Sequence, residues 1–205
     1  SFAVEYELSE RNPARDVPYI HSASEGFHSW TMEEVAQFEA RHEVGSKARL
    51  ALALLLYTGQ RRSDVVRLGP QHIKDGWLTL TQQKNRSRKP VPLSTPVLPD
   101  LQAVIDDTLT GNLAFLVTAF SKPFTSNGFG NWFRKQCDAA GLNHCSAHGL
   151  RKAGAALAAE NGATERQLMA IFGWSTMKEA SRYTRAARQK VLAASGMKHL
   201  SRGKS

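Results

Sequence analysis

Several side chains in this sequence have the types and spacing to handle a phosphate. His148 and Arg151 stand three apart, a separation that puts both on one face of a helix. Ser146 just ahead of them places the pair in that helix's first turn, where free backbone N–H groups and the helix dipole favour an anion. Arg61 directly follows an apolar run, inside Thr58-Gly59-Gln60-Arg61-Arg62-Ser63-Asp64. A guanidinium held there between two capped helices has little freedom, and Asp64, three residues on, is placed to orient it. Trp174 follows Phe172-Gly173, and nine residues later comes Tyr183, flanked by Arg182 and Arg185. Positive charge around a phenol lowers its pKa of about 10 and favours the phenolate, a nucleophile. Taken singly these features are ordinary: an Arg–Asp surface pair, a helical His and Arg, an amphipathic tyrosine. Together they describe an anion grip with a hydroxyl nucleophile.

The elements that must position them follow from caps and periodicity. Thr31 and Glu34 form a capping box that opens a helix after Trp30. Residues 47–58, KARLALALLLYT, are apolar nearly all round, which predicts a central buried helix closed by Gly59. Ser63 is the expected cap of the next helix, carrying Val65, Val66 and Leu68. Trp77–Thr81 alternates with period two, Val91-Pro92-Leu93 supplies a partner strand, and Ala114–Val117 a short extended piece. Between the two strands lies a basic tip, Lys84-Asn85-Arg86-Ser87-Arg88-Lys89. Helices follow over Pro123–Ala140 and from Ser146 or Ala147 to Asn161, the latter closed by Gly162. Thr164 with Gln167 caps a third, which Gly173 ends, and Thr176 with Glu179 a fourth, which carries Tyr183. A short helix and a basic end are expected from residue 186. The pair Gly128-x-Gly130 follows no strand and is not a dinucleotide loop.

The chain has 205 residues, 41% of them hydrophobic, enough for one large domain with appended arms. No apolar run approaches the roughly 18–20 residues of a membrane span. Ser1 in place of Met suggests a piece of a longer protein. The 27 Lys and Arg against 18 Asp and Glu give a net charge of +9, which favours a polyanionic partner, nucleic acid first. Two cysteines, Cys137 and Cys145, make no disulfide framework and fit a reducing, cytoplasmic setting. Cys145 lies near His144 and His148, but no regularly spaced fourth ligand is evident and Cys137 falls inside a helix, so no metal is expected. Residues 1–28, with Asn12-Pro13, Val17-Pro18 and Ser22–Gly26, read as a linker or arm.

The order Thr-Gly-x-Arg (58–61), hairpin Lys84, His-x-Leu-Arg (148–151), Phe-Gly-Trp (172–174) and Tyr183 resembles the catalytic domain of the tyrosine recombinases, the phage-integrase family. The resemblance runs from about Trp30 to Arg188. Leu56–Asp64 is its most typical phrase, and the Gln83-Lys84 pair is similar to the family's Gln-x-Lys stretch. It implies a mostly helical α+β domain with a small antiparallel sheet at one edge. Residues 29–188 would be that domain, 1–28 an arm from an absent N-terminal DNA-binding domain, and 189–205 a C-terminal helix and basic tail.

The implied reaction cuts and rejoins double-stranded DNA through a 3′-phosphotyrosine, without metal or other cofactor, in a homotetramer on DNA that is a monomer as an isolated domain. Tyr183 would be the nucleophile, Arg61 and Arg151 the phosphate clamp, His148 the proton acceptor and Lys84 the general acid. Trp174 stands where most members carry His; its indole N–H donates but cannot accept a proton. Arg86, Arg88, Lys89 and Arg182 would add DNA contacts. A non-catalytic helix-turn-helix protein, using residues 164–185, leaves Arg61, Lys84 and the His148–Arg151 pair without a purpose. A type IB topoisomerase shares the chemistry, and the Thr-Gly-x-Arg and Phe-Gly-Trp phrasing favours the recombinase.

Overall fold

The apolar run 47–58 becomes the helix around which the domain is built. The computed structural model describes residues 2–8, 10, 12, 17, 26–84 and 90–197. After a single turn, α1 (Phe2–Glu5), comes α2 (Met32–Arg41), whose capping box pairs the Thr31 hydroxyl with the Glu34 N–H and the Glu34 carboxylate with the Thr31 N–H. Helix α3 (Lys47–Thr58) buries every residue from Leu50 to Leu56, as a helix apolar all round must. Gly59 ends it in the left-handed conformation, at φ 61°.

The next turn departs from expectation. Helix α4 (Arg62–Val65) begins one residue before Ser63, with Arg61 itself at the N-cap and no side chain capping it. Three antiparallel strands follow in the order β1 (Ile73–Lys74), β2 (Trp77–Thr81) and β3 (Pro92–Pro96). In β2 Leu78 and Leu80 turn inward while Trp77 and Thr79 face solvent. Leu80 pairs with Leu93 and Thr79 with Ser94 across the β2–β3 ladder. The tip residues 85–89 lie outside the described residues, and with them Arg86, Arg88 and Lys89.

Helix α5 (Pro99–Asp106) was not anticipated, although Pro99 at its first position is a start signal. The extended piece at 114–117 is held by the Phe115 N–H on the Leu68 carbonyl and by a lone bridge from Val117 to Pro123. Helix α6 (Ser126–Ala139) starts later than Pro123 because Thr125 is its cap. Then come α7 (Ala147–Glu160), α8 (Glu165–Phe172), with the Thr164–Gln167 capping box, and α9 (Met177–Met197). Helix α9 passes through residue 186 without a break, so the separate short helix expected there is its continuation.

Two apolar clusters result. The larger joins Trp30, α2, α3, the sheet, α6 and the first half of α7. The smaller joins Ala155 and Ala159 of α7 to Leu168 and Phe172 of α8 and Ala180 of α9. Helix α7 is shared between them, and Arg151 sits just before the changeover. Among the described residues no helix is long and apolar enough to cross a membrane.

Candidate active site

The site is assembled where α3 and α8 end. Both helices stop on a left-handed glycine, Gly59 and Gly173, a backbone state that L side chains avoid. Space demands glycine as well. A Cβ on Gly59 would collide with the Phe172 ring, and one on Gly173 would stand 2.8 Å from Gln82 Oε1. The two C-termini therefore meet, leaving carbonyls that no helix satisfies.

Arg151 fills that need. It is buried, at 4% exposure, and its guanidinium donates to the Gly59 carbonyl and, at 2.7 Å, to the Phe172 carbonyl. Its direct partners are the negative ends of helix dipoles, while the Asp64 and Glu179 carboxylates act on its charge from further off. The carbon of the guanidinium lies 5.3 Å from the Phe172 ring centre and 5.8 Å from that of Trp174. Burial, with the neighbouring Arg61 charge, lowers its pKa to about 10, which leaves it cationic at neutral pH.

Arg61 is tied to the same junction through two buried amides. It donates to Gln82 Oε1 at 3.1 Å, while Gln82 Nε2 donates to Gln60 Oε1 at 2.7 Å and to the Phe172 carbonyl at 3.1 Å. Gln60 in turn donates to the Thr58 carbonyl. Asp64 does not orient Arg61 as expected. Its Oδ1 accepts the Gln83 N–H at 2.7 Å, and Oδ2 is buried without a partner among the described residues. Asp64 thus holds the strand that leads to Lys84. Gln82 also pairs with the Val91 carbonyl, so the backbone is fixed up to Gln83 and Lys84 stands exposed just beyond. Gln82, not Gln83, completes the Gln-x-Lys pattern.

His148 lies one helical turn before Arg151, and its ring packs against Phe27 at 4.9 Å. Burial, reinforced by the charges of Arg151, Lys152, Arg61 and Arg62, pushes its pKa down, so the neutral imidazole, a proton acceptor, prevails at neutral pH. Arg61 and His148 open onto a cleft of ≈ 570 Å³ lined also by Arg62, Ser126, Asn131 and Arg134. Arg62 and Arg134 were not singled out from sequence; the +9 charge is the only signal that pointed to such residues.

Trp174 and Tyr183 are not among the residues lining that cleft and join the site through Arg151, whose guanidinium carbon lies near the Trp174 ring. Phe172 and Trp174 stack at 4.9 Å and 18°, and Trp174 and Tyr183 at 5.5 Å and 7°. Among the described residues neither the indole N–H nor the phenol has a hydrogen-bond partner in the protein. The expectation of a lowered Tyr183 pKa is reversed. Desolvation raises it, and the opposing pull of Arg151 and Arg182 does not compensate. Arg182 is exposed beside Tyr183 on α9. Helix α9 is fastened by Thr184 and by a two-pronged Arg188 pair, both on the Glu165 carboxylate of α8.

The phage integrase family matches the chain over residues 30–190. The integrase of Mycobacterium phage FRAT1 is 28% identical across 90% of this chain and 61% of its own length. A lambda integrase dimer bound to a COC′ core site superposes with a TM-score of 0.72 at 21% identity, over 89% of this chain and 68% of that one. A lambda integrase tetramer bound to a Holliday junction gives 0.70 at 20%, over 87% and 55%. The structural likeness is one of fold, and the chain spans about three fifths of the curated relative's length.

Proposed function

Because this chain belongs to the phage integrase family, we propose that it is the catalytic part of a site-specific recombinase that cleaves and rejoins double-stranded DNA. The observation that carries this reading is the continuous arrangement from the buried Arg151, through the Phe172–Trp174 stack, to Tyr183. It sets a cation, a neutral donor and a hydroxyl side by side. In this reading Tyr183 Oη attacks a phosphodiester phosphorus and the 5′-oxygen leaves, which gives a 3′-phosphotyrosine. The phenol proton passes to neutral His148, needed because the raised Tyr183 pKa leaves little phenolate at neutral pH. Lys84 gives the 5′-oxygen its proton. Arg61 and Arg151 stabilise the charge that builds on the non-bridging oxygens, and Trp174 donates one further hydrogen bond. A 5′-hydroxyl of another strand reverses the sequence without ATP, because the phosphotyrosine conserves the ester.

Residues 29–188 form the catalytic domain in this proposal, 1–28 an arm towards a DNA-binding domain and 189–205 a C-terminal helix, the end of α9, with a basic tail. Arg86, Arg88, Lys89, Arg182 and the cleft arginines Arg62 and Arg134 would track the DNA backbone. The working form would be a homotetramer on DNA, and the location cytoplasmic, where the substrate is. A nicked substrate whose cut releases a short 5′-hydroxyl strand tests the reading. A denaturant-stable protein–DNA adduct is expected, and reversible binding with no adduct at any concentration contradicts it.

A further inference from the structure

Apart from the reacting groups, four ligand-bearing side chains converge beside Trp30. The imidazoles of His28 and His144, the Glu34 carboxylate and the Cys145 thiol each offer one atom, and these atoms all lie within 4.8 Å of one another. They come from three segments that the fold alone unites: the stretch before α2, the first turn of α2, and the turn before α7. His144 Nε2 lies 2.5 Å from Glu34 Oε1, and His28 Nε2 lies 2.8 Å from Glu34 Oε2. The His28 and His144 rings meet edge to face at 4.8 Å.

We propose that His28, Glu34, His144 and Cys145 form a tetrahedral site for a divalent transition ion of the zinc class. The size fits. Bonds of about 2.0–2.3 Å in a tetrahedron put ligand atoms roughly 3.3–3.8 Å apart, so the widest pair closes by about an ångström while the hydrogen-bonded pairs open slightly. Two imidazoles, a thiolate and a carboxylate suit zinc, whereas magnesium and calcium want oxygen alone. The surroundings support the ligands too. Thr31 N–H holds Glu34 Oε2 at 2.8 Å, and Arg134 donates to the Cys145 carbonyl at 3.3 Å. Cys145 is fully buried at the back, while His28 and His144 are exposed in front and give the ion a way in. Binding converts the thiol to thiolate and releases one proton to solvent. The spacing of His144 and Cys145 alone did not reveal this set, because its other half lies about a hundred residues away.

The ion would staple the segment before α2 to the start of the catalytic helix. That segment already lies over α7: Phe27 packs on His148, Trp30 donates to the Ser146 carbonyl at 2.9 Å, and the His28 carbonyl sits where a Cβ on Gly149 would be. The role is structural and independent of the phosphoryl chemistry, which the arginines serve. Titrating the metal-stripped chain with Co²⁺ tests it. One Co²⁺ per chain is expected, with a thiolate-to-cobalt band in the near ultraviolet and visible bands of tetrahedral intensity. C145S should lose the thiolate band. H144A, which changes an exposed side chain, should weaken binding at least about tenfold, the cost of losing even an outer-shell partner. Zn²⁺ should raise the Tm of the parent and not of H144A. Absence of a thiolate band in the parent, or parent-like Co²⁺ binding by both variants, overturns the proposal.

Discussion

The proposed phosphate grip and the proposed nucleophile rest on different parts of the molecule. Arg61 and Arg151 are fixed where the large apolar cluster ends, by two helix C-termini and a pair of buried amides. Tyr183 and Trp174 ride on the small cluster of α8 and α9 and are placed by ring stacking and by contacts to Glu165. Hydrogen bonds between buried groups fix direction, since a misaligned one leaves an unpaired polar atom in the interior. Stacked rings fix separation but tolerate sliding. Arg61 and Arg151, the proposed grip, are held the first way. Tyr183, the proposed nucleophile, is held the second way.

Substitutions can break or sharpen this contrast. After loss of the Tyr183 hydroxyl itself, the largest effect is expected at Lys84, which the grip region delivers through Gln82 and Gln83. Lys84→Ala should slow cleavage by roughly 10²–10⁴-fold, the range for lost acid catalysis. A substrate with sulfur in place of the leaving 5′-oxygen needs no protonation, and on it this variant should approach parent speed. Rescue of Lys89→Ala instead would exchange the two lysines.

Next come the arginines. Arg61→Ala and Arg151→Ala should each slow adduct formation by about 10²–10³-fold, as lost transition-state donors do. Only Arg151→Ala should also lower the Tm clearly, because it orphans the Gly59 carbonyl at a cost of about 1–3 kcal/mol. Arg61 is partly exposed and makes one side-chain hydrogen bond among the described residues, so its removal should barely shift melting. Equal destabilisation by both would erase the distinction between pivot and rim.

Effects at the residues that hold Tyr183, as distinct from Tyr183 itself, should be smaller. Trp174→Ala removes a donor and one ring of the stack, for an expected loss of about ten- to hundredfold in rate. Trp174→His keeps a donor and should fall between that variant and the parent. An Ala variant as fast as the parent would reduce Trp174 to packing. Smallest of all, Glu165→Gln weakens the fastening of α9 at an exposed ion pair. Melting should stay nearly unchanged and adduct formation should slow no more than a few-fold; a severe loss would show that α9 is held as rigidly as the arginines.

How much of this was legible in the sequence follows the same division. The capping boxes at Thr31 and Thr164, the glycines at 59 and 173 and the alternation of 77–81 are local signals, and each produced the expected element. What failed depended on distance in the chain. Asp64 bonds Gln83, 19 positions away, instead of its neighbour Arg61. The Gln60–Gln82 pair spans 22 positions and carries no periodic trace. Burial set the direction of the Tyr183 pKa, and burial of one side chain by a packed α8 cannot be inferred from flanking arginines. Helix α5 was missed because only Leu101 is fully buried on it, too weak an apolar stripe to stand out beside its Pro99 start.

The central claim is that Tyr183 forms the covalent bond to DNA. Protease digestion of the adduct trapped on a nicked substrate, followed by mass spectrometry of the nucleotide-bearing peptide, tests it most directly. The added mass should lie on Tyr183 as a 3′-phosphate ester, and Tyr183→Phe should yield no such peptide while still binding DNA. A nucleotide attached to any other residue, or an undiminished adduct from the Phe variant, would contradict the account.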